Sequence, residues 1–228
     1  MTLSTFKVEP AGNGAGGDVT FSTSNPSTDA IVIPATNNKL RAGSTSSKSG
    51  TFSRGLMFRY EISGTIKPRA TINGVRWTFY DRASGGGLSA DFRCGVIKDD
   101  GDWTTSLGFK DASYVQIGDL PRANTPTEVD TVFYGDNAHD FSFFPFDLSV
   151  NDPFSIATGN LTGDINLPAL LSDVQGSFDD VKAAIAFQIS DDQASNIGDL
   201  DFSDGFFSDG DFAPTLEIDW TPRRIIIV

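Results

Sequence analysis

Cysteine and histidine are almost absent from this chain of 228 residues, which holds one of each, Cys94 and His139. A single cysteine excludes an internal disulfide framework and any zinc site that is built from several thiolates. A single histidine excludes metal sites with two or more imidazole ligands, and it disfavours a catalytic triad centred on histidine. With 39% hydrophobic residues, a chain of this length can bury a core of its own. We therefore expect a folded protein without disulfide cross-links.

Basic residues are also scarce, at 17 Lys and Arg against 30 Asp and Glu, for a formal net charge of −13. The two charges are unevenly placed along the chain. Residues 1–98 hold 12 basic and 6 acidic side chains, whereas residues 99–222 hold 3 basic and 24 acidic ones. Because so acidic a surface repels phosphate backbones, we expect no nucleic-acid partner.

Long apolar runs are missing as well. The longest wholly aliphatic stretch is residues 225–228 (IIIV), which is far too short to span a bilayer, so no membrane partner is expected. Residues 1–7 lack the basic and apolar regions of a secretory signal peptide. If Met1 is the native start, we expect a protein that stays in the cytoplasm or leaves the cell as part of something larger.

What the sequence does contain is strict alternation of apolar and polar residues, over 54–62, 75–79 and 216–220. Alternation of this kind predicts strands with one buried and one solvated face. Further strands are predicted at 19–21, 30–33, 88–96, 128–134, 141–148 and 183–189. Aspartate supplies 26 of the 30 acids, and its preference for turns over helices also favours a loop-rich β protein.

One helix is predicted at 167–174, with Pro168 in its first turn and Gly176 just past its end. Many short strands and one helix predict an all-β fold, namely an antiparallel β-sandwich of jelly-roll type with one short helix. We expect a flexible N-terminal arm at 1–18, a single sandwich domain at 19–222 and an aliphatic tail at 223–228. The acidic stretch 99–164 is expected to be an elaboration within that domain.

Several short segments follow one another in a recognisable order: residues 24–26 (SNP), 39–44 (KLRAGS), 53–58 (SRGLMF), 70–72 (ATI), 75–80 (VRWTFY) and 213–222 (APTLEIDWTP). Together they resemble the disaggregatase-related, or DNRLRE-type, β-sandwich domain, a relative of carbohydrate-binding modules. The resemblance covers roughly residues 20–80 and 165–222, and the segment 99–164 departs from the family pattern by length and acidity. It implies a β-sandwich of a kind that occurs on microbial cell surfaces, beside polysaccharide-active enzymes and on phage particles.

Aromatic side chains offer one candidate binding surface, because Trp77, Trp103, Trp220 and Tyr80 together suggest a platform for stacking against sugars. Trp77 and Trp220 are in phase with the aliphatic faces of their strands, so we expect both in the core. Trp103 follows an acidic turn, and it remains the one candidate ligand-binding residue, for a surface glycan.

Calcium is the one cofactor that the sequence leaves open. Asp199, Asp201 and Asp204 place carboxylates densely enough to supply the six to eight oxygens that calcium needs. The spacing does not match an EF-hand, because Asp204 stands where that loop requires glycine. The favoured interpretation is a solvated acidic loop whose side chains cap turns.

We expect no enzymatic activity and no catalytic residues. Cys94 lies in a predicted strand, where a lone cysteine is usually a small buried hydrophobe. His139 lies in a polar, turn-like run, and no oxyanion motif or nucleophile elbow accompanies the two residues. The neighbouring Asp191 and Asp192 would point to opposite faces of a strand, so they cannot act together on one glycosidic bond.

The C-terminal tail has no obvious place in the core, since the sandwich pattern ends at Trp220 and Pro222 cannot continue a ladder. Its residues are Arg223, Arg224, Ile225, Ile226, Ile227 and Val228, a segment of high strand propensity that would be an aggregation hazard if exposed. It either returns to the parent sheet as an edge strand or docks on a neighbouring subunit by strand addition. In the second case both arginines would face the acidic surface of residues 99–222.

Two classes of function follow from these observations. The first is a non-enzymatic structural protein of a phage or virus particle, such as a capsid decoration, minor capsid or tail-associated subunit. Its partners would be other virion subunits or copies of itself, and the uneven charge suits contacts between unlike surfaces. The alternative is a carbohydrate-binding module of a microbial cell-surface protein, located outside the cell.

Overall fold

The computed structural model describes residues 1–8, 18–23, 31–32, 39–47, 50–81, 90–98, 134–135, 139–143, 149, 151–181, 184–191, 198–203 and 211–223. Within these ranges the chain forms strands and a single helix. The strands are β1 (Thr2–Lys7), β2 (Asp18–Thr23), β3 (Ile31–Val32), β4 (Lys39–Ser47), β5 (Gly50–Glu61), β6 (Thr71–Tyr80), β7 (Ala90–Ile97), β8 (His139–Phe143), β9 (Pro153–Gly159), β10 (Ile165–Asn166), β11 (Ala184–Asp191), β12 (Gly198–Ser203) and β13 (Thr215–Thr221). The helix α1 spans Leu170–Asp179.

The strands form two sheets. The first sheet has the order β1-β13-β6-β9-β10, and all its pairs are antiparallel except β9 with β10. The second sheet has the order β12-β4-β5-β11-β7-β8, and β2 joins it by pairing with β5 and β3. β5 is twelve residues long, which lets it pair with β4 near its start and with β11 near its end.

The core lies between the two sheets, because the alternating segments turn their apolar faces inward. Trp77 of the first sheet stacks on Phe187 of the second, with ring centroids 4.2 Å apart. Phe58 of the second sheet packs on Phe79 of the first at 5.0 Å. Each such fully buried side chain contributes about 1.5–3 kcal/mol to folding. The predicted all-β sandwich with one short helix is therefore confirmed, while its jelly-roll connectivity stays a prediction.

Helix α1 packs against the sandwich through Leu170, Val174 and Phe178, which lie four residues apart and are buried. The side chain of Gln175 fixes it further. Its Oε1 accepts a hydrogen bond from the Ile72 amide at 3.0 Å, and its Nε2 donates to the Ala70 carbonyl at 3.1 Å. The helix thus bonds directly to the start of β6.

The predicted helix bounds of 167–174 are wrong at both ends. Gly176, which we expected just beyond the helix, lies inside it. The reason is packing, because a Cβ at Gly176 would come within 3.2 Å of Cδ1 of Tyr134. Here glycine makes room for an aromatic ring and does not end the helix.

Two expectations about domain organisation also need correction. Residues 2–7 of the expected flexible arm form β1, which pairs with β13 along its whole length, whereas residues 9–17 lie outside the described part. Within the expected acidic elaboration at 99–164, β8 and β9 are integral strands of the two sheets. Of the predicted strand 128–134 only Tyr134 is described, and its amide donates to the Val96 carbonyl at 2.8 Å outside any strand.

Candidate functional site

The tryptophans do not form a sugar platform in the described part of the chain. Trp77 and Trp220 are buried, with 0% and 7% of their surface exposed, so their predicted core position is confirmed. The indole Nε1 of Trp220 donates to Ser4 Oγ of β1 at 3.0 Å. Trp103 lies outside the described residues, so its proposed contact with glycans stays a prediction.

The carboxylates proposed for calcium lie partly in a strand. Asp199 and Asp201 belong to β12, so the prediction of an acidic loop is wrong for these two residues, and Asp204 lies outside the described part. Pairing with β4 accounts for the strand, and it places Asp199 opposite Gly43 and Asp201 opposite Arg41. Among the described residues, no group of three or more His, Cys, Asp or Glu side chains is arranged to hold a metal ion. Calcium binding stays a prediction.

One residue of the tail is described. Arg223 Nη2 lies 3.2 Å from Oδ1 of Asp179 at the end of α1, and both side chains are about half exposed. Arg223 therefore faces an acidic residue of the 99–222 segment, here within its own chain. The remaining assembly candidates, Arg224, Ile225, Ile226, Ile227 and Val228, lie outside the described residues.

The structure assembles one cluster of titratable groups that the sequence did not predict. His139 begins β8, where it stands directly opposite Cys94 of β7, so its predicted place in a turn is wrong. Its Nε2 lies 2.7 Å from Oδ2 of Asp173 on α1. The Asp173 side chain is 6% exposed and that of His139 is 22% exposed. This pair connects the second sheet to the helix.

The backbone at Gly135, next to this pair, leaves space for the carboxylate of Asp173. Gly135 has φ = +89°, and a Cβ at that position would collide with Oδ1 of Asp173. The preceding residue, Tyr134, donates from its hydroxyl to Oδ2 of Asp180 at 2.8 Å. Lys98 Nζ lies 5.9 Å from the centroid of the same ring. Residues 134–135 thus bond to α1 on one side and to the end of β7 on the other.

The chemistry of this cluster is governed by burial. Burial raises the pKa of the Cys94 thiol well above its usual value, and the nearby carboxylates of Asp140 and Asp173 raise it further. Since the thiolate is the reactive form, such a thiol is a poor nucleophile. The expectation that Cys94 is a buried hydrophobe is confirmed by its exposure of 1%.

The sheet edges provide a second candidate site, one for contact with other proteins. Edge strands expose unpaired backbone groups, and natural proteins protect them by short length, charge or proline. Among the described strands, β3 and β10 have two residues each, β8 carries the exposed Asp140, and β12 carries Asp199 and Asp201. β1 has no proline, and Lys7 at its end is its one charged residue.

No protein-family model matches the chain, and no curated protein matches it either. The resemblance to the DNRLRE-type domain therefore stays a prediction from the sequence. Among the described residues, no helix has the length and apolar character needed to cross a membrane.

Proposed function

We propose that this protein is a non-enzymatic structural subunit of a phage or virus particle, where it acts through protein–protein contacts. A capsid decoration, minor capsid or tail-associated subunit fits this role. The observation that carries the proposal is the outer edge of β1, which pairs with no strand among the described residues and carries one charged residue, Lys7. The strand β1 is paired with β13 along its whole length, yet Leu3, on the outer face of β1, has 56% of its surface exposed.

An exposed edge of this kind supports assembly because it offers both backbone hydrogen bonds and apolar area to another chain. Three large apolar residues of the described part are exposed, and two of them, Met1 and Leu3, lie at this strand. Behind this edge, β13 is paired on both sides, with β1 and with β6.

The uneven charge supports contacts between unlike surfaces. Arg76 in the basic half of the sequence already pairs with Glu217 in the acidic half, with Nε 2.6 Å from Oε2. Arg223 and Asp179 form a second pair of unlike charges. In a particle, the same complementarity would act between subunits and would set their orientation more than their affinity.

The carbohydrate-binding alternative has less support in the described residues. Stacking on a sugar needs an exposed aromatic face, and Trp77 and Trp220 are both in the core. That function would depend on Trp103, which lies outside the described part.

Mass spectrometry of particles purified from the source of the gene tests the proposal. We expect the chain among the particle proteins, in a fixed ratio to the major capsid or tail protein. The purified chain should not degrade polysaccharides, and it should not bind on a glycan array. Absence from particles together with saturable glycan binding by the soluble protein would favour the alternative.

A further inference from the structure

The C-terminal end of helix α1 concentrates negative charge. Asp179 is the last residue of the helix and Asp180 caps it, and the last turn holds no basic residue. The C-terminal end of a helix carries a partial negative charge, so carboxylates there are unfavourable unless a cation lies close by. Arg223 supplies such a cation, because its Nη2 lies 3.2 Å from Oδ1 of Asp179. The first residue of the tail thus contacts this end of the helix.

Val181, which follows the helix cap, adds an apolar side chain to this end. Its φ is +58°, a conformation that β-branched residues rarely adopt and that glycine usually occupies after a helix. Its amide donates to the carbonyl of Phe178 at 3.2 Å, which closes the last turn, yet 47% of the residue is exposed. Glycine would close the same turn without backbone strain. The turn therefore does not account for the valine, whereas contact with an apolar partner would.

We propose that the surface formed by Asp179 and Val181 binds the C-terminal tail of the same chain, with Arg223 on Asp179 and Ile225 on Val181. The ion pair identifies the occupant, because the guanidinium that contacts Asp179 belongs to the first residue of that tail. The rest of the tail has the matching chemistry, since its two arginines are followed by four aliphatic residues, Ile225, Ile226, Ile227 and Val228. The inference goes beyond the proposed function, because it concerns the free subunit and needs no second chain.

The spacing of the two contacts is compatible with an extended tail. Consecutive Cα atoms are about 3.8 Å apart, so those of Asp179 and Val181 are at most about 7.6 Å apart. Two residues of an extended segment advance about 6.8 Å, which is the step from Arg223 to Ile225. Alternate residues of such a segment point to the same side, so Ile225 would follow Arg223 toward the helix and Ile226 would point away. A tail that continues past Asp179 in the direction of the helix therefore brings Ile225 beside Val181.

This contact would cover one side of the tail in the free subunit. An aliphatic segment of high strand propensity promotes aggregation when it is exposed. Packing of Ile225 on Val181 reduces that exposure until another protein binds the tail. The ion pair between Arg223 and Asp179 is about half exposed on both sides, so water and salt screen it and it contributes little on its own. The contact as a whole is therefore weak enough for another protein to displace.

Cysteine cross-linking in the full chain tests both the contact and the direction of the tail. In Val181→Cys/Ile225→Cys the two thiols would lie within disulfide distance, whereas in the matched control Val181→Cys/Ile226→Cys the second thiol would point away. Cys94 is buried, so the native thiol does not compete. Under mild oxidation of dilute protein, we expect an intramolecular disulfide that forms at least about tenfold faster in the first variant than in the control. Mass spectrometry of the digested, unreduced protein identifies the linked residues.

Three results of the cross-linking would overturn the proposal. Equal rates for the two variants would mean that the tail has no fixed orientation on the helix. Disulfide-linked dimers in place of the intramolecular disulfide would mean that the tail of a second copy occupies the surface. The absence of a disulfide from both variants would mean that the tail does not reach Val181. None of these results changes the test of the structural role in particles.

Thermal stability tests the contact without a cross-link. Val181→Gly relieves the backbone strain but also removes the apolar contact, so its two effects oppose each other in the wild-type background. In an Ile225→Ser background the contact is already lost, and the gain from glycine should appear in full. We therefore expect Val181→Gly to raise the melting temperature more with Ile225→Ser than in the wild type, and the matched Ile226→Ser background should behave like the wild type. The same shift in all three backgrounds overturns the proposal.

Discussion

The imidazole of His139 and the carboxylate of Asp173 lie 2.7 Å apart, Nε2 to Oδ2, although 34 residues separate them in the sequence. The pair joins β8, the last strand in the order of the second sheet, to helix α1. Asp173 is almost fully buried, and a buried carboxylate costs free energy unless a partner compensates it. His139 is thus a structural partner of the helix.

Removing this imidazole should destabilise the fold. We expect His139→Ala to lower the free energy of unfolding by about 1–3 kcal/mol, because a buried acceptor loses its donor. Asp173→Asn should lower the free energy of unfolding by less, since a side-chain amide can still form a hydrogen bond with the imidazole. Urea unfolding of both single variants and of the double variant gives the coupling energy between the two side chains. A coupling close to zero would contradict a structural role for the pair.

The glycine beside this pair provides a second test. In Gly135→Ala the new Cβ would collide with Oδ1 of Asp173, and φ of +89° adds backbone strain. Gly64→Ala is the matched control, because Gly64 has φ of +79° but no atom within 4 Å of the new Cβ. We expect Gly64→Ala to lower the free energy of unfolding by about 1 kcal/mol, and Gly135→Ala to lower it by clearly more. Equal melting temperatures for the two variants would mean that the carboxylate can move aside freely.

Cys94 should make stability depend on alkaline pH. Burial raises the pKa of its thiol in the folded state, whereas in the unfolded chain the thiol ionises near its usual value of about 8.5. Above that pH the unfolded state has lost a proton that the folded state keeps, so the free energy of unfolding falls as pH rises. Cys94→Ala should flatten this slope between about pH 8.5 and 10 in chemical denaturation. If the wild type and Cys94→Ala show the same slope, the pH dependence of stability comes from other titratable groups.

Calcium removal should leave the protein unchanged. Asp201 stands opposite Arg41 in the β4–β12 register, and among the described residues no group of three or more His, Cys, Asp or Glu side chains is arranged to hold a metal ion. A ligand that binds only the folded state would raise the melting temperature by mass action. We therefore expect the same melting curve with excess calcium and with excess chelator. A higher melting temperature in calcium that disappears in Asp199→Asn would support the calcium site instead.

Local sequence patterns predicted the strands whose own alternation of apolar and polar residues determines their structure. β5, β6 and β13 alternate strictly, and their inward residues Phe58, Trp77 and Ile218 are buried as expected. β12 was missed because its aspartates indicate a turn, and only pairing with β4 makes it a strand. Such pairing between distant segments is not visible in a short window of sequence.

The His139–Asp173 pair was missed for a similar reason, although one signal was available. His139 and Phe141 are two residues apart, so a strand over both places the imidazole on the same buried face as the ring. That signal indicates the face of the strand on which His139 lies. It does not indicate that Asp173 is the partner of His139, because this depends on where α1 packs. The position of Gly176 inside α1 likewise follows from the ring of Tyr134, a tertiary contact.

The last prediction concerns the tail after β13. That strand ends at Thr221, and it is paired on both sides, with β1 and with β6. The described contact of the tail, Arg223 with Asp179, is an exposed pair of a kind worth at most about 1 kcal/mol. We therefore expect deletion of residues 223–228 to leave a folded, soluble chain that no longer assembles. Arg223→Ala in the full chain is the control, because it removes the ion pair and keeps the aliphatic residues. Circular dichroism and light scattering measure folding and assembly, and a truncated chain that fails to fold would place the tail in the core.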